Sequence, residues 1–270
     1  MTTMRRWFLF LGMLLALAAP LAAQQWAQQR LARSPRHREF VRLHAAGREL
    51  TAFVAYPQAP DRRPVIVMVH EIFGLSPWAE EMADELAGAG YVVIVPDLLS
   101  GMGPHGGGTP SFPDQTAVIR AISKLPPARI EADLNAAADW ALRQPAASQQ
   151  LFVAGFCWGG GQAFRFATER KGLAAAFVFY GVAPPAAAMA RITAPVFGFY
   201  AGDDARISLT VPATRVRMAK LGKTYRAIVY PGAGHGFMRA GEQPNPTPGN
   251  ERARKEAWAR LGRLLKQYRR

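Results

Sequence analysis

The chain has 270 residues, half of them hydrophobic and 19% charged, enough for a sizeable core and too apolar for a disordered protein. Its 33 Lys and Arg against 19 Asp and Glu give a net charge of +14, and its single cysteine excludes an internal disulfide. This length fits one large α/β domain, or two small ones.

The first element is not part of a fold. MTTMRRWFLFLGMLLALAAPLAAQQ opens on Arg5 and Arg6, runs apolar from Trp7 to Ala19 and ends on small residues up to Ala23. That is the layout of a signal peptide over 1–23, cleaved near Ala23, and it predicts export to a bacterial periplasm. Interrupted by Pro20, the apolar run is short for a membrane anchor, so membrane contact is expected only in transit. Arg5-Arg6-Trp7-Phe8-Leu9 resembles a twin-arginine core with Met4 in place of Ser or Thr, while the leucine-rich run suits the general secretory route equally well.

A basic segment, 24–37, follows, and a single domain is expected over 38–270. Basic residues crowd both ends: Arg30, Arg33, Arg36, Arg38 and Arg42, then Arg252, Arg254, Lys255, Arg260, Arg263, Lys266, Arg269 and Arg270. A polyanion-binding surface would need aromatic interleaving or a recognition helix, and neither is visible. The charges read instead as a solvated coat, no nucleic-acid partner is expected, and a monomer is the simplest state.

REFVRL (38–43) and RELTAFVAY (48–56), joined across Ala45-Ala46-Gly47, predict a hairpin. The next apolar runs are VIVMVH (65–70), YVVIVPDL (91–98), LFVAGF (151–156), AAFVFYG (175–181), PVFGFYAG (195–202) and YRAIVYPG (225–232). They are continuous rather than alternating, as parallel strands buried on both faces require. Helical spacing marks 77–90, 128–144, 159–170, 209–222 and the C-terminal stretch. Strands alternating with helices predict an α/β sandwich with a mostly parallel sheet and an antiparallel hairpin at its start, its site at the strand C-terminal ends. Two glycine- and proline-rich segments, 100–114 and 241–250, read as loops on that edge, either pocket walls or connectors.

Gly155-Phe156-Cys157-Trp158-Gly159 sits where a buried strand turns into a helix, a Gly-x-Ser-x-Gly elbow with sulfur in place of oxygen. The usual role of a lone cysteine is a small buried hydrophobe. Here the flanking glycines provide the room that a strained nucleophile needs, and the following helix N-terminus is expected to lower the thiol pKa. Such a nucleophile requires a base and an acid that orients it, in the order nucleophile, acid, histidine. Asp203-Asp204 follows one strand and His235 follows the next; spacing alone does not choose between the aspartates. His37 and His44 lie in the basic region, His105 in the glycine-rich loop, and His70 at a strand end before Glu71. Glu71 is either a solvent-facing charge or a partner of the thiol. No His or Cys cluster has zinc-ligand spacing, so neither metal nor cofactor is expected.

Together EIFGL (71–75), GFCWGG (155–160), AGDDARI (201–207) and AGHGFMR (233–239) resemble the dienelactone hydrolase family of α/β-hydrolases. The resemblance runs from the hairpin to the last helix. It implies a Cys157–His235–Asp204 triad, an oxyanion hole from the backbone N–H groups of Ile72 and Trp158, and a Glu71 that holds the resting thiol. It also implies Arg239 as a ligand of a substrate carboxylate. The activity implied is carboxymethylenebutenolidase-like hydrolysis of lactones or small carboxylic esters through a thioester, with a small molecule as substrate. The family's second carboxylate-binding arginine and its nearby tyrosine have no counterpart in the 100–114 loop, so the triad is implied more directly than the substrate. The alternative is an exported, non-hydrolytic thiol sensor or binding protein on the same scaffold.

Overall fold

The structure is a computed structural model that describes residues 24–269; the expected signal peptide, 1–23, lies outside them. Its centre is one sheet of eight strands: β1 (Arg38–Ala45), β2 (Arg48–Ala55), β3 (Arg63–Val69), β4 (Val92–Pro96), β5 (Ala147–Phe156), β6 (Leu173–Phe179), β7 (Val196–Ala201) and β8 (Tyr225–Tyr230). Their order is β1-β2-β4-β3-β5-β6-β7-β8. The β1–β2 hairpin joins β4 antiparallel, and every other pairing is parallel, as expected.

Helices cover both faces. They are α1 (Gln25–Arg33), α2 (Pro77–Gly88), α3 (Gln115–Ile122), α4 (Pro127–Leu142), α5 (Trp158–Glu169), α6 (Ala186–Met189), α7 (Ala205–Ser208), α8 (Val211–Lys220), α9 (Phe237–Ala240) and α10 (Pro248–Tyr268). One core lies under α4, α5 and α8 and takes alternate residues of β3, Val65, Val67 and Val69. The other lies under α1, α2 and α10 and takes Ile66 and Met68. Strands feeding two cores have no polar face, hence their continuous apolar runs. Within the second core Phe156, Phe179 and Phe199, on three neighbouring strands, stack at 4.6 and 4.2 Å between ring centroids.

Three features depart from expectation. β8 is the sheet's edge, so Ile228 and Val229 are exposed although their run is as apolar as the buried ones. The basic segment, whose charges were expected to be solvated, forms helix α1 and docks: Ser34 Oγ and Arg36 Nε bond Asp84, and Arg30 bonds Glu81. Part of the basic coat is also structural. Arg254 and Arg260 are buried, and Arg260 donates at 2.7 Å to the carbonyls of Gly198 and Arg226 at the sheet edge. A charge count cannot reveal this, because a long arginine buries its stem whenever acceptors meet its head. No helix among the described residues is long and apolar enough to cross a membrane.

The strand order reverses beside β3: the chain runs from β3 to β4 on one side and returns to β5 on the other. Such a reversal opens a crevice past the strand C-termini, where α/β proteins hold ligands.

Candidate active site

Cys157 occupies that crevice. It stands between β5 and α5 with φ 57° and ψ −122°, a strained conformation for any residue with a side chain. The elbow can be this tight because its neighbours are glycine. A Cβ on Gly155 would lie 2.1 Å from the Gly159 carbonyl oxygen, and one on Gly159 would lie 2.2 Å from that of His70. The Cys157 N–H donates to the Phe179 carbonyl at 3.0 Å, and the Gly160 N–H closes onto the Cys157 carbonyl at 3.0 Å.

Two loops past the neighbouring strands bring up the partners. Asp204 stands at the start of α7 just after β7, and His235 follows β8 in a glycine-rich turn. The Asp203 N–H donates to the Ala233 carbonyl at 2.9 Å, tying the acid loop to the histidine loop. His235 Nδ1 lies 2.5 Å from Asp204 Oδ2, and His235 Nε2 lies 3.0 Å from Cys157 Sγ. Asp204 is buried and Asp203 is exposed, so the geometry makes the choice that spacing left open. Tyr180 packs edge-on against the imidazole at 5.1 Å between centroids. With Asp204 accepting from Nδ1–H, the free lone pair sits on Nε2, where the thiol donates.

The backbone N–H groups of Trp158 and Ile72 both face the Cys157 sulfur and favour its thiolate. One starts α5 and the other follows the end of β3, so their convergence depends on β3 and β5 being neighbours. Glu71, beside Ile72, is buried and accepts from Arg239 Nε at 2.8 Å, and the Arg239 guanidinium lies over the Phe73 ring at 5.1 Å. The described contacts therefore pair Glu71 with Arg239 and the thiol with His235, where the resemblance implied a bond from the thiol to Glu71.

Burial pushes the Glu71 carboxyl above its usual range, with Arg239 pulling it back. The thiol departs from expectation. Burial first, and the Glu71 charge second, push Cys157 up to about 11, against the pull of the two N–H groups. The helix N-terminus does act in the expected direction, but desolvation outweighs it.

Two residues in the site's frame carried no sequence signal. Asp97, buried after β4, accepts from Thr109 N–H at 2.7 Å and from Thr109 Oγ1 at 2.7 Å, and Thr109 Oγ1 accepts from the Leu75 N–H. The 100–114 loop is thus an ordered wall behind the Glu71–Leu75 turn. His70 stacks on Trp158 at 6.0 Å between centroids, giving that large side chain a packing role beside the thiol. Elsewhere, among the described residues, Glu81, Glu85 and Glu242 could converge on a cation. Arg254 already bridges Glu85 and Glu242, so protein charge offsets part of the group.

Comparison with known proteins gives one answer at three levels. The model of the dienelactone hydrolase family matches residues 50–269. A Salmonella typhi protein provisionally named a carboxymethylenebutenolidase is 31% identical over 240 residues, 84% of this chain and 86% of its own. A Methylorubrum extorquens protein with the same provisional name is 31% identical over 234 residues, 81% of this chain and 77% of its own. Among solved structures, a Klebsiella pneumoniae protein provisionally termed a dienelactone hydrolase superposes with a TM-score of 0.76 at 28% identity, over 86% of this chain and 99% of that one. With the sheet order, the elbow and this match over most of its length, the chain belongs to the dienelactone hydrolase family of the α/β-hydrolases.

Proposed function

We propose that the protein is an exported hydrolase of lactones or small carboxylic esters that works through a thioester on Cys157. The observation that carries the proposal is the unbroken relay from Asp204 Oδ2 through the His235 ring to Cys157 Sγ, at 2.5 and 3.0 Å. As Sγ attacks the ester carbonyl carbon, its proton passes to His235 Nε2, and Asp204 stabilises the imidazolium. The carbonyl oxygen becomes an oxyanion where the Ile72 and Trp158 N–H groups converge, each worth roughly 3 kcal/mol in comparable sites. Collapse breaks the C–O bond to the leaving oxygen, which takes the proton from His235. Water then attacks the thioester and gives a proton to His235. The second collapse releases the acid, and the proton returns to sulfur.

Burial, with the Glu71 charge beside it, pushes the Cys157 thiol up to about 11 and favours its protonated form at rest. The thiol reacts only when His235 removes its proton during attack, which favours a hydrolase over a sensor that needs a standing thiolate. Arg239 supports a preference for substrates that carry a carboxylate, which would take the guanidinium from Glu71. The expected signal peptide supports a periplasmic location.

The test is a screen of short esters and acidic lactones with intact-mass detection of the acyl-enzyme. A slow ester should leave an adduct that Cys157→Ala abolishes along with turnover. If the wild type never acylates and Cys157→Ala keeps full esterase activity, the nucleophile is misassigned. Arg239→Ala should raise KM for carboxylate-bearing substrates and leave neutral esters nearly unchanged.

A further inference from the structure

His70 directly follows β3 and precedes Glu71, and it is fully buried. Its ring nitrogens meet two backbone groups of fixed character. Nδ1 lies 2.8 Å from the Glu71 carbonyl oxygen, which can only accept. Nε2 lies 3.4 Å from the Leu98 N–H, which can only donate. Only one form satisfies both: a neutral imidazole with its proton on Nδ1 and its lone pair on Nε2. Burial lowers the His70 pKa, in keeping with that neutral form.

The Glu71 carbonyl shares its peptide plane with the Ile72 N–H. In a trans peptide these two groups point in opposite directions, so fixing one aims the other. The carbonyl is held from one side by His70 Nδ1–H and by the Gly74 N–H at 3.2 Å. On the other side the Ile72 N–H faces the Cys157 sulfur and favours its thiolate. The second N–H on that sulfur belongs to Trp158, whose indole stacks on the His70 ring at an interplanar angle of 18°.

We infer that His70 is a positioning residue for the oxyanion hole: by holding the Glu71 carbonyl it aims the Ile72 N–H at the reacting carbonyl oxygen, and by stacking it steadies Trp158. The Leu98 N–H completes the device by holding the ring from the β4 side. Hydrogen bonding, rather than the aromatic ring, sets the Ile72 direction. His70 touches neither substrate nor thiol in this scheme. The inference rests on the proposed thioester reaction, and its test separates the two.

The experiment compares two variants of the full chain on one ester. His70→Phe keeps the ring and the stack but has no donor. His70→Gln loses the ring but keeps one donor and one acceptor. Misaiming one oxyanion-hole donor should lower kcat about 100-fold in His70→Phe with KM within about two-fold, because the oxyanion exists only in the transition state. His70→Gln should recover most of that kcat. Thermal melts of each variant separate a folding defect from a catalytic one. A folded His70→Phe with wild-type kcat overturns the inference. So does a His70→Gln that loses kcat as deeply as His70→Phe, since the kept donor then does nothing. If His70→Phe does not fold, His70→Leu replaces it as the variant without a donor: a folded His70→Leu with wild-type kcat overturns the inference, and a loss of about 100-fold that His70→Gln does not share supports it. Cys157→Ala is run beside both. Activity that survives it sinks the thioester reading itself, whereas activity that needs Cys157 but ignores His70 sinks only this inference.

Discussion

The carboxylate of Glu71 and the sulfur of Cys157 sit on neighbouring strand ends, and each makes the other's charge costly. Burial is the larger cause of the thiol's high pKa, and the Glu71 charge adds to it. Replacing Glu71 by Gln removes that charge and leaves the Arg239 guanidinium unopposed, and both changes favour the thiolate. The pH midpoint of Cys157 alkylation by iodoacetamide should therefore fall in Glu71→Gln, by about one unit, or ten-fold in rate at fixed pH below the midpoint. An unchanged midpoint would mean that Glu71 is already neutral at rest, with its proton held by burial. A carboxylate-bearing substrate that drew Arg239 away would have the opposite local effect to this substitution, since it would leave Glu71 without its counter-charge. The comparison thus tests whether the Glu71–Arg239 pair sets the reactivity of the thiol.

At the scale of elements, the elbow depends on backbone crowding between β5, α5 and the end of β3. A Cβ at Gly159 would lie 2.2 Å from the His70 carbonyl oxygen and 2.5 Å from that of Val69, both backbone atoms that cannot swing aside. Gly159→Ala should cost about 1–3 kcal/mol in a denaturant melt and lower kcat, as α5 is levered off the strand. Gly262, inside α10, is a matched control: nothing lies within 4 Å of a Cβ there. Gly262→Ala should stabilise by about 0.5–1 kcal/mol and leave kcat alone. If the two substitutions cost the same, crowding is not what reserves position 159 for glycine. This crowding is also why the elbow could be read from sequence. The positions that must be glycine fall within five residues, so the motif carries them even though β3 supplies the atoms that crowd Gly159. His70 and Asp97 act on backbone groups, which any residue supplies, and through partners as far as 28 and 12 residues away, so no local residue pattern marks them. The same limit explains β8 and α1. Apolar runs report propensity and burial but not which strand closes the sheet, and a basic segment reads as coat until Asp84 and Glu81 are seen beside it. The helix over 115–122 gives no sequence signal for a related reason: it is two turns long and follows a loop rich in glycine and proline, so its period never builds up.

Across the whole molecule, the far side of the second core is laced together by charge. Glu81 and Glu85 on α2, Glu242 before α10, Arg30 on α1 and Arg254 on α10 form one network, with three carboxylates against two guanidiniums. The imbalance is met by protons. Burial first, then the neighbouring glutamates, push Glu81 up to about 8 against Arg30; burial pushes Glu85 up to about 7 against Arg254. In the unfolded chain both groups would titrate near 4.5. Between about 4.5 and 8 the folded protein therefore holds protons that the unfolded chain releases. The stability this contributes is fully present below about 4.5 and is lost as pH rises through 7 to 8. Glu81→Gln cannot ionise, and its amide oxygen still accepts from Arg30. It should be more stable than the wild type at pH 8.5, by on the order of 1–2 kcal/mol, and equal to it at pH 4.5. Denaturant midpoints at the two pH values measure this. A Glu81→Gln that is weaker at pH 8.5 would mean that the ionised glutamate is a net support there, with Arg30 and Arg254 more than offsetting its burial. The docking of α1 onto α2 and α10 would then depend on a full ion-pair network and would tighten, rather than loosen, as pH rises.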